Sequence, residues 1–389
     1  MNMFRIVMIT VMGLMSLYVG RGTNRLLGLT HAARFAVWAT LGVLFMCQII
    51  SRRIMGDPEF AGRVSRVVIW QWAGAIAMAI LIVLFLVVVT IDIGRAAGHR
   101  IARRRAPSNP SRRDALTTMG RVAFVGISGA ITGVGVVEAT RTPRIMEVEI
   151  PIVGLPTALH GFRIAQITDL HVGPTIGRDF VEAVVAQTNS LNADLIAVTG
   201  DLIDGYVPSL SDAVQPLATL RARHGVFFVT GNHEYYWGAG PWCDKMRALG
   251  MTVLLNAHHV VEHDGARVLV AGVTDFMAGR YGTDRETDPH AACANAPETD
   301  FRLLLAHQPK SCYEAATAGY HLQISGHTHG GQILPWALFV RLVQPYVVGL
   351  ARHEGMWVYV SRGTGYWGPP LRLGVVSEIT SLRLVPAVV

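Results

Sequence analysis

Five short polar clusters between residues 169 and 329 carry side chains that bind metal ions. They read DLH at 169–171, GDLID at 200–204, GNHE at 231–234, a single His at 307 and GHTHGG at 326–331. Each directly follows an apolar run typical of a buried strand. The clusters offer carboxylate oxygens, imidazole nitrogens and an amide oxygen, but no thiolate. This set suits divalent Mn, Fe or Zn at a functional site rather than a cysteine-bound structural zinc.

Each cluster alone is a weak signal, since an Asp after a strand often caps a helix and a single His often packs in a core. Five clusters at successive strand ends indicate one site, because open α/β sheets place their sites at the carboxyl ends of strands. Two metal ions about 3.5–4 Å apart can share a hydroxide and clamp a phosphoryl group. A nearby imidazole can then protonate the leaving oxygen. The sequence therefore predicts a two-metal site that hydrolyses phosphate esters.

In order and spacing, the clusters resemble the motif set of the calcineurin-like metallophosphoesterase family over roughly residues 160–330. The resemblance implies a four-layer α/β/β/α sandwich at residues 159–389 and two divalent metal ions. It also implies their ligands: Asp169, His171, Asp201 and His329 for one ion, and Asp201, Asn232, His307 and His327 for the other, with Asp201 as the bridge. His233 would be the general acid, oriented by Asp204. Glu234 either takes part in the site or only shapes its loop.

Three segments resemble the membrane-linked branch of this family typified by YkuE and YaeI. They read NHEYY at 232–236, GHTHGGQ at 326–332 and VSRGTG at 360–365. Protein Ser/Thr phosphatases of the family carry an Arg directly after the second Asp of GDxxD, where this chain has Gly205. This difference argues against a phosphoprotein substrate.

The first third of the chain differs sharply in composition from the rest. Residues 1–144 contain 18 Arg, no Lys and 5 acidic residues, a net charge of +13, whereas residues 145–389 have a net charge of −6. Four apolar stretches bounded by charges predict an all-α membrane region of about four transmembrane helices at residues 1–140, with buried core helices as the alternative. A linker and first strand at 141–158 would follow. The acidic remainder argues against nucleic acid as a partner.

The arginine distribution predicts the orientation of this membrane region. Seven Arg between Arg95 and Arg113 indicate a cytoplasmic loop, so the catalytic domain would be extracytoplasmic at a bacterial-type inner membrane. Arg52, Arg53, Arg63 and Arg66 favour the opposite orientation. The segment SRRDAL at 111–116 resembles a twin-arginine export signal, and simple anchoring by positive charge explains it equally well.

Strands and helices alternate after the linker, which predicts an α/β domain with at least two packed sheets. The predicted helices are 179–190 and 212–223. The predicted strands are 162–168, 194–199, 226–230, 268–273, 302–306, 322–325, 357–361 and 379–385. Four cysteines without CxxC spacing indicate no redox compartment.

Further residues are candidates for contact with the substrate. Arg362 and Arg372 are the cations suited to a phosphate clamp, although surface solvation explains either one alone. Tyr235, with Tyr236 and Trp237 beside it, follows His233 and would line a pocket or pack the loop. The apolar segment Pro335–Leu350 is interpreted first as a core element, and second as a lipid-facing rim beside the site.

These features predict an integral-membrane phosphoesterase that uses a metal-bridging hydroxide. Phosphodiesters and lipid-linked phosphates or pyrophosphates are favoured over monoesters, because the membrane anchor holds the domain at lipid headgroups. The alternatives are a non-catalytic membrane sensor or scaffold that binds a phosphorylated ligand, and a phosphomonoesterase or nuclease of the same fold. The presence of both His233 and Asp204 counts against a sensor, since only turnover needs an acid.

Overall fold

A computed structural model describes residues 3–55, 64–101, 110–281 and 286–387. The chain forms two compact units. The helical unit comprises Met1–Val137 and Gly368–Leu371, and the sandwich unit comprises Glu138–Trp367 and Arg372–Val389.

Four long helices occupy the first 140 residues: α1 (Met3–Leu27), α2 (His31–Met55), α3 (Val64–Ile101) and α4 (Pro110–Thr140). Three of them contain a stretch long and apolar enough to cross a membrane, namely Ile6–Leu27, Val68–Ala97 and Ala115–Thr140. The apolar part of α2, His31–Cys47, is shorter. Three of the four expected spans therefore have the necessary length.

All three of these spans are longer than the spacing of charged residues predicts. α1 continues through Arg21 and Arg25, α3 continues past Asp92, and α4 continues past Glu138. Arg25 forms an ion pair with Asp92 of α3, and the Tyr18 hydroxyl donates a hydrogen bond to the same carboxylate at 2.8 Å. Charges that are paired in this way cost less in an apolar environment, so they need not end a span.

The predicted cytoplasmic loop lies partly outside the described residues. Arg103, Arg104 and Arg105 of this loop fall within residues 102–109, outside the described residues. Arg63, one of the arginines that favour the opposite orientation, falls within residues 56–63 and also lies outside them.

Two six-stranded sheets form the sandwich unit. The first contains β1 (Arg144–Ile152), β2 (Arg163–Ile167), β3 (Leu195–Val198), β4 (Val226–Phe228), β5 (Thr252–Val253) and β12 (Glu378–Pro386), in the order β1-β12-β2-β3-β4-β5. The second contains β6 (Ala257–His263), β7 (Ala266–Gly272), β8 (Phe301–Leu305), β9 (Leu322–Ser325), β10 (Gly349–His353) and β11 (Met356–Val360), in the order β10-β11-β9-β8-β7-β6. Strands β2, β3 and β4 are parallel to one another, as are β7, β8 and β9.

Seven helices accompany the sheets: α5 (Arg178–Ser190), α6 (Val207–Val214), α7 (Asn232–Trp237), α8 (Ala239–Ala248), α9 (Pro289–Cys293), α10 (Cys312–Thr317) and α11 (Trp336–Val340). One core cluster lies between the sheets and joins Ile164 and Phe227 of the first to Leu303 of the second. Two further clusters pack α5, α6 and α8 on the outer face of the first sheet, and α9 and α10 on that of the second. The predicted four-layer α/β/β/α sandwich is confirmed.

The predicted strands agree with the structure to within two residues at each end. The predicted helix at 212–223 is wrong. α6 begins at Val207 and ends at Val214, and a 3₁₀ turn, Gln215–Thr219, follows it. Pro208 lies in the first turn of α6, where a missing N–H costs nothing, and Pro216 lies in the 3₁₀ turn, which the α-helix does not continue. Strands β5, β6 and β10 were not predicted, and all three lie at sheet edges.

Candidate metal centre

The ligand-type side chains follow the carboxyl ends of five parallel strands. Asp169 and His171 come after β2, Asp201 and Asp204 after β3, and Asn232 and His233 open α7 after β4. In the second sheet, His307 comes after β8, and His327 and His329 follow β9. Nearly all of these side chains are buried, for example Asp169 with 0% exposure and His307 with 1%. The sheets therefore bring the predicted ligands into one enclosed place.

Five of these residues have left-handed backbone conformations, with φ of 52° at Asp169, 52° at His171, 51° at Asp201, 70° at His327 and 50° at His329. This region costs a non-glycine residue roughly 1–2 kcal/mol, so the surrounding structure must hold it. Part of that support is main-chain hydrogen bonding between the loops, from Asp169 N to Gly200 O at 3.0 Å and from His171 N to Asp201 O at 3.1 Å. Such strain is concentrated at functional sites.

Three sets of ligand atoms each lie within 4.8 Å of one another. The first group is Asp169, His171 and His329, the second is Asp201, His307 and His327, and a third set joins Asp201 to His171 and His233. In the first group, His171 Nε2 is 3.0 Å from His329 Nε2, which is 3.4 Å from Asp169 Oδ1. In the second, His307 Nε2 is 3.2 Å from both Asp201 Oδ2 and His327 Nδ1.

Asp201 connects the two groups. Its Oδ2 atom, 3.2 Å from His307 Nε2, is also 4.0 Å from His171 Nε2 of the first group. The side-chain oxygen of Asn232, by contrast, is buried and has no hydrogen-bond partner among the described residues. A buried amide oxygen without a partner is unfavourable unless a cation or another donor reaches it.

The donor set fits divalent metal ions. Carboxylate and amide oxygens converge here with imidazole nitrogens. The nitrogens of His171 and His329 are 3.0 Å apart and those of His307 and His327 are 3.2 Å apart, a spacing suited to shared cations. Burial lowers the pKa of His327 to about 3, and it also lowers the pKa of His329. Both imidazoles are consequently neutral at neutral pH, the form that binds metal.

Two glycines let neighbouring main chain approach the ligands. A Cβ on Gly231 would lie 2.2 Å from Asp201 Oδ1, and a Cβ on Gly326 would lie 2.1 Å from Asp169 Oδ2. Both distances are far below van der Waals contact, so any larger residue would displace a carboxylate of the centre.

His233 and Asp204 form a hydrogen-bonded pair beside this centre. His233 Nδ1 contacts Asp204 Oδ1, and His233 Nε2 is 3.8 Å from Asp201 Oδ2. The other oxygen of Asp204 is 3.2 Å from His171 Nδ1. Burial lowers the pKa of His233, but the carboxylates of Asp204 and Asp201 outweigh burial and raise that pKa to about 9. The pair therefore holds a protonated imidazole next to the ligands.

Aromatic rings surround His233. The ring centroid of Tyr236 is 4.9 Å from that of His233, and the centroid of Trp367 is 6.1 Å away. Tyr235, the predicted contact, instead stacks on Tyr281 with centroids 6.1 Å apart, and its hydroxyl lies 3.2 Å from Thr230 Oγ1. Tyr236 and Trp367 are thus the aromatic residues at the acid, and the sequence alone did not single out Trp367.

The geometry of the two predicted phosphate-binding arginines does not support that role. Arg372 is 1% exposed, and its guanidinium donates to the carbonyl oxygens of Arg362 at 2.9 Å, Gly363 at 3.3 Å and Gly365. Arg362 forms an ion pair with the buried carboxylate of Glu378. Both cations are occupied by the protein itself, because a buried charge requires partners.

Two acidic residues act on the loops of the centre. Glu234 accepts hydrogen bonds from the main-chain N–H groups of Gly231 at 2.6 Å, Asp201 at 2.9 Å and Leu202 at 2.8 Å. It shapes the loop, one of the two interpretations left open by the sequence. Glu378, at the start of β12, accepts hydrogen bonds from the Tyr359 hydroxyl at 2.7 Å and from the main-chain N–H of Arg362 at 3.1 Å, and the sequence analysis did not single it out.

The first part of the apolar segment Pro335–Leu350 is not a core element, because none of the residues of α11 is buried, whereas Gln344 and Val347 further along are buried. Leu334, Trp336, Leu338, Phe339, Leu342 and Val343 are all exposed.

A profile of the calcineurin-like phosphoesterase family matches residues 162–331. The chain is 36% identical over 273 residues to a zebrafish transmembrane protein with a metallophosphoesterase domain, covering 67% of this chain and 62% of that protein. It is 38% identical over 279 residues to an uncharacterized metallophosphoesterase of Helicobacter pylori, covering 71% and 73%. It is also 31% identical over 240 residues to the uncharacterized metallophosphoesterase YkuE of Bacillus subtilis, covering 59% and 81%. The match to the zebrafish protein spans less than two thirds of that protein.

Proposed function

Since this chain belongs to the calcineurin-like phosphoesterase family, whose members are metal-dependent phosphoesterases, we propose that it hydrolyses phosphodiesters or lipid-linked phosphates at a centre of two divalent metal ions. The observation that carries the proposal is the position of Asp201, whose Oδ2 atom faces the ligand groups on both sides.

The residues that would hold the ions are the seven already described. Asp169, His171, Asp201 and His329 would hold one ion, and Asp201, Asn232, His307 and His327 would hold the other. Mn, Fe and Zn all accept this donor set. When bound, such a pair of ions supplies a nucleophile at neutral pH and stabilises charge on the transferred phosphoryl group.

The chain's own residues would perform the proton transfer. His233 is protonated and close to the ligand groups, so it can donate a proton to the leaving oxygen. Asp204 contacts its Nδ1 atom and therefore leaves Nε2 as the donating nitrogen.

The membrane association of the chain favours a substrate presented by a bilayer. Three helices have the length and composition to cross a membrane, and only three residues separate α4 from β1. The Arg-rich segment between α3 and α4 supports an extracytoplasmic domain at an inner membrane. Fusing alkaline phosphatase or a cytoplasm-only fluorescent protein to the C-terminus tests this orientation, and fluorescence from the second fusion would contradict it.

The enzyme proposal is tested with the full chain in detergent, loaded with manganese. We expect turnover of bis-p-nitrophenyl phosphate to exceed that of p-nitrophenyl phosphate. The variant His233→Asn should lose turnover of diphenyl phosphate, whose basic leaving group needs a proton, and should keep its metal. A non-catalytic sensor would show no change in function. Failure to turn over either p-nitrophenyl compound, with bound metal confirmed by elemental analysis, would contradict the proposal.

A further inference from the structure

An exposed apolar surface lies on the segment that follows His329. It comprises Leu334–Val343 and is called here the apolar ridge. Trp336 is 61% exposed, Leu338 is 65% exposed and Leu342 is 79% exposed. Leu334, Phe339 and Val343 add to the same surface, each more than half exposed. Single exposed apolar residues are ordinary, but six within ten residues mark an interaction surface.

The charges of this region suit an anionic surface. The sequence from residue 315 to residue 353 contains no Asp or Glu. Arg341, at the C-terminal end of α11, is exposed among the ridge residues. Aromatic rings and leucines flanked by an arginine are the composition of segments that lie in the headgroup region of a bilayer.

The ridge is held firmly beside the metal centre. A Cβ on Gly331, in the turn that carries His329, would be 2.5 Å from Ala337, so α11 packs directly against this turn. The Gln332 amide donates to Trp367 O and accepts from Trp367 N, both at 2.9 Å. Since Trp367 also lies beside His233, the ridge has a fixed position relative to the acid.

We propose that the apolar ridge inserts into the headgroup region of the lipid bilayer. The occupant is a bilayer rather than a protein because the same chain carries helices able to cross one, and because only three residues join α4 to β1. Docking of the ridge would place the metal centre at the level of lipid phosphates. This last step rests on the proposed function, whereas the docking itself does not.

The test uses the full chain reconstituted into vesicles of phosphatidylethanolamine and phosphatidylglycerol. Its four native cysteines are replaced, and an environment-sensitive fluorophore is attached at Leu338→Cys or Leu342→Cys. The matched control is Val153→Cys, another exposed apolar position at 66% exposure, located just after β1. We expect blue-shifted emission and quenching by nitroxide-labelled lipid at both ridge positions, and neither effect at the control.

Two results would overturn the proposal. One is fluorescence of a water-exposed probe at both ridge positions. The other is a blue shift that lipid nitroxide does not quench and that accompanies cross-linking of two chains, which would assign the ridge to a second copy. These readouts do not involve catalysis, so they remain informative if no phosphoester is hydrolysed.

A pair of charge variants measures the contribution of the ridge. Leu338→Asp with Leu342→Asp should lower the docked-to-undocked ratio about ten-fold or more per leucine, since each buried leucine contributes that much to transfer. Val153→Asp should leave the ratio unchanged. Turnover of soluble bis-p-nitrophenyl phosphate should be the same in both variants, which confirms an intact centre. Unchanged lipid quenching of a fluorophore at Trp336→Cys in the double variant would contradict the proposal.

Discussion

Replacing Asp204 by Asn should remove the proton donor without removing the imidazole. Burial lowers the pKa of His233, and the carboxylates of Asp204 and Asp201 raise it to about 9 against an ordinary value of 6.5. Asn carries no charge, so the pKa of His233 should fall, by about two units if a typical adjacent carboxylate is lost, while Asp201 still raises it. At pH 8 the protonated fraction would then decrease roughly ten-fold, from about nine-tenths to about one-tenth. Bound cations would lower both pKa values and leave the direction of the change the same.

The pH profile gives the sign of the effect. An acid must be protonated to act, so activity should fall as the pH rises through the pKa of His233. In Asp204→Asn this fall should occur at lower pH than in the unmodified chain. A fall displaced to higher pH would contradict the assignment.

Substrates with different leaving groups distinguish a variant that has lost the general acid from one that has lost its metal centre. p-Nitrophenolate leaves without a proton, whereas phenolate is more basic and depends on one. We therefore expect Asp204→Asn at pH 8 to reduce turnover of diphenyl phosphate by roughly ten-fold, in line with the lower protonated fraction of His233, and to reduce turnover of bis-p-nitrophenyl phosphate much less. Elemental analysis must show an unchanged metal content, since Asp204 also lies near His171. Equal losses on both substrates with metal retained would refute the role of the His233–Asp204 pair.

Three further changes test the loops of the centre. Glu234→Gln should destabilise the domain by about 2 kcal/mol and lower its melting temperature by roughly 4–8 °C, because one amide oxygen cannot serve three buried N–H donors. Calorimetry of this variant against the exposed Glu182→Gln measures the difference, and equal melting temperatures would contradict it. Gly326→Ala should weaken metal binding, because the added Cβ would displace Asp169. The control Gly240→Ala should bind metal normally, because a Cβ there meets nothing within 4 Å. Calorimetric titration with Mn²⁺ compares the metal affinities of the two variants. Metal affinity should rise with pH from acid to neutral, because imidazoles must lose their protons to bind, and an affinity independent of pH would count against imidazole ligands.

The ligand residues were predictable from sequence because each lies within a few residues of a strand end. Asp169 and Asn232 follow parallel strands of one sheet, whose carboxyl ends lie at the same edge. His307 follows a strand of the second sheet, so only the resemblance to the family's motif set related it to Asp169. Local sequence shows that a polar residue follows a strand, and the fold then brings the ends of several strands together. The alternation of strands and helices predicted an α/β domain with at least two packed sheets, whereas the four-layer arrangement was implied by the family resemblance.

The residues that surround the ligands could not be predicted in this way. Glu378 and Trp367 reach the site from the last 25 residues of the chain, and no local pattern marks them. The two arginines looked suitable for phosphate by charge alone, yet Arg372 is fully enclosed by main-chain carbonyls. Apolar content also could not show whether Trp336 and its neighbours face a core or a surface, because both environments select the same residues.

The central claim is that Asp201 joins two metal ions in one centre. Electron paramagnetic resonance of the full chain at saturating Mn²⁺ tests it most directly. We predict the spectrum of a spin-coupled pair with two manganese ions bound per chain, and its loss in Asp201→Asn. A spectrum of isolated Mn²⁺ ions at saturation, unchanged by that substitution, would contradict the account.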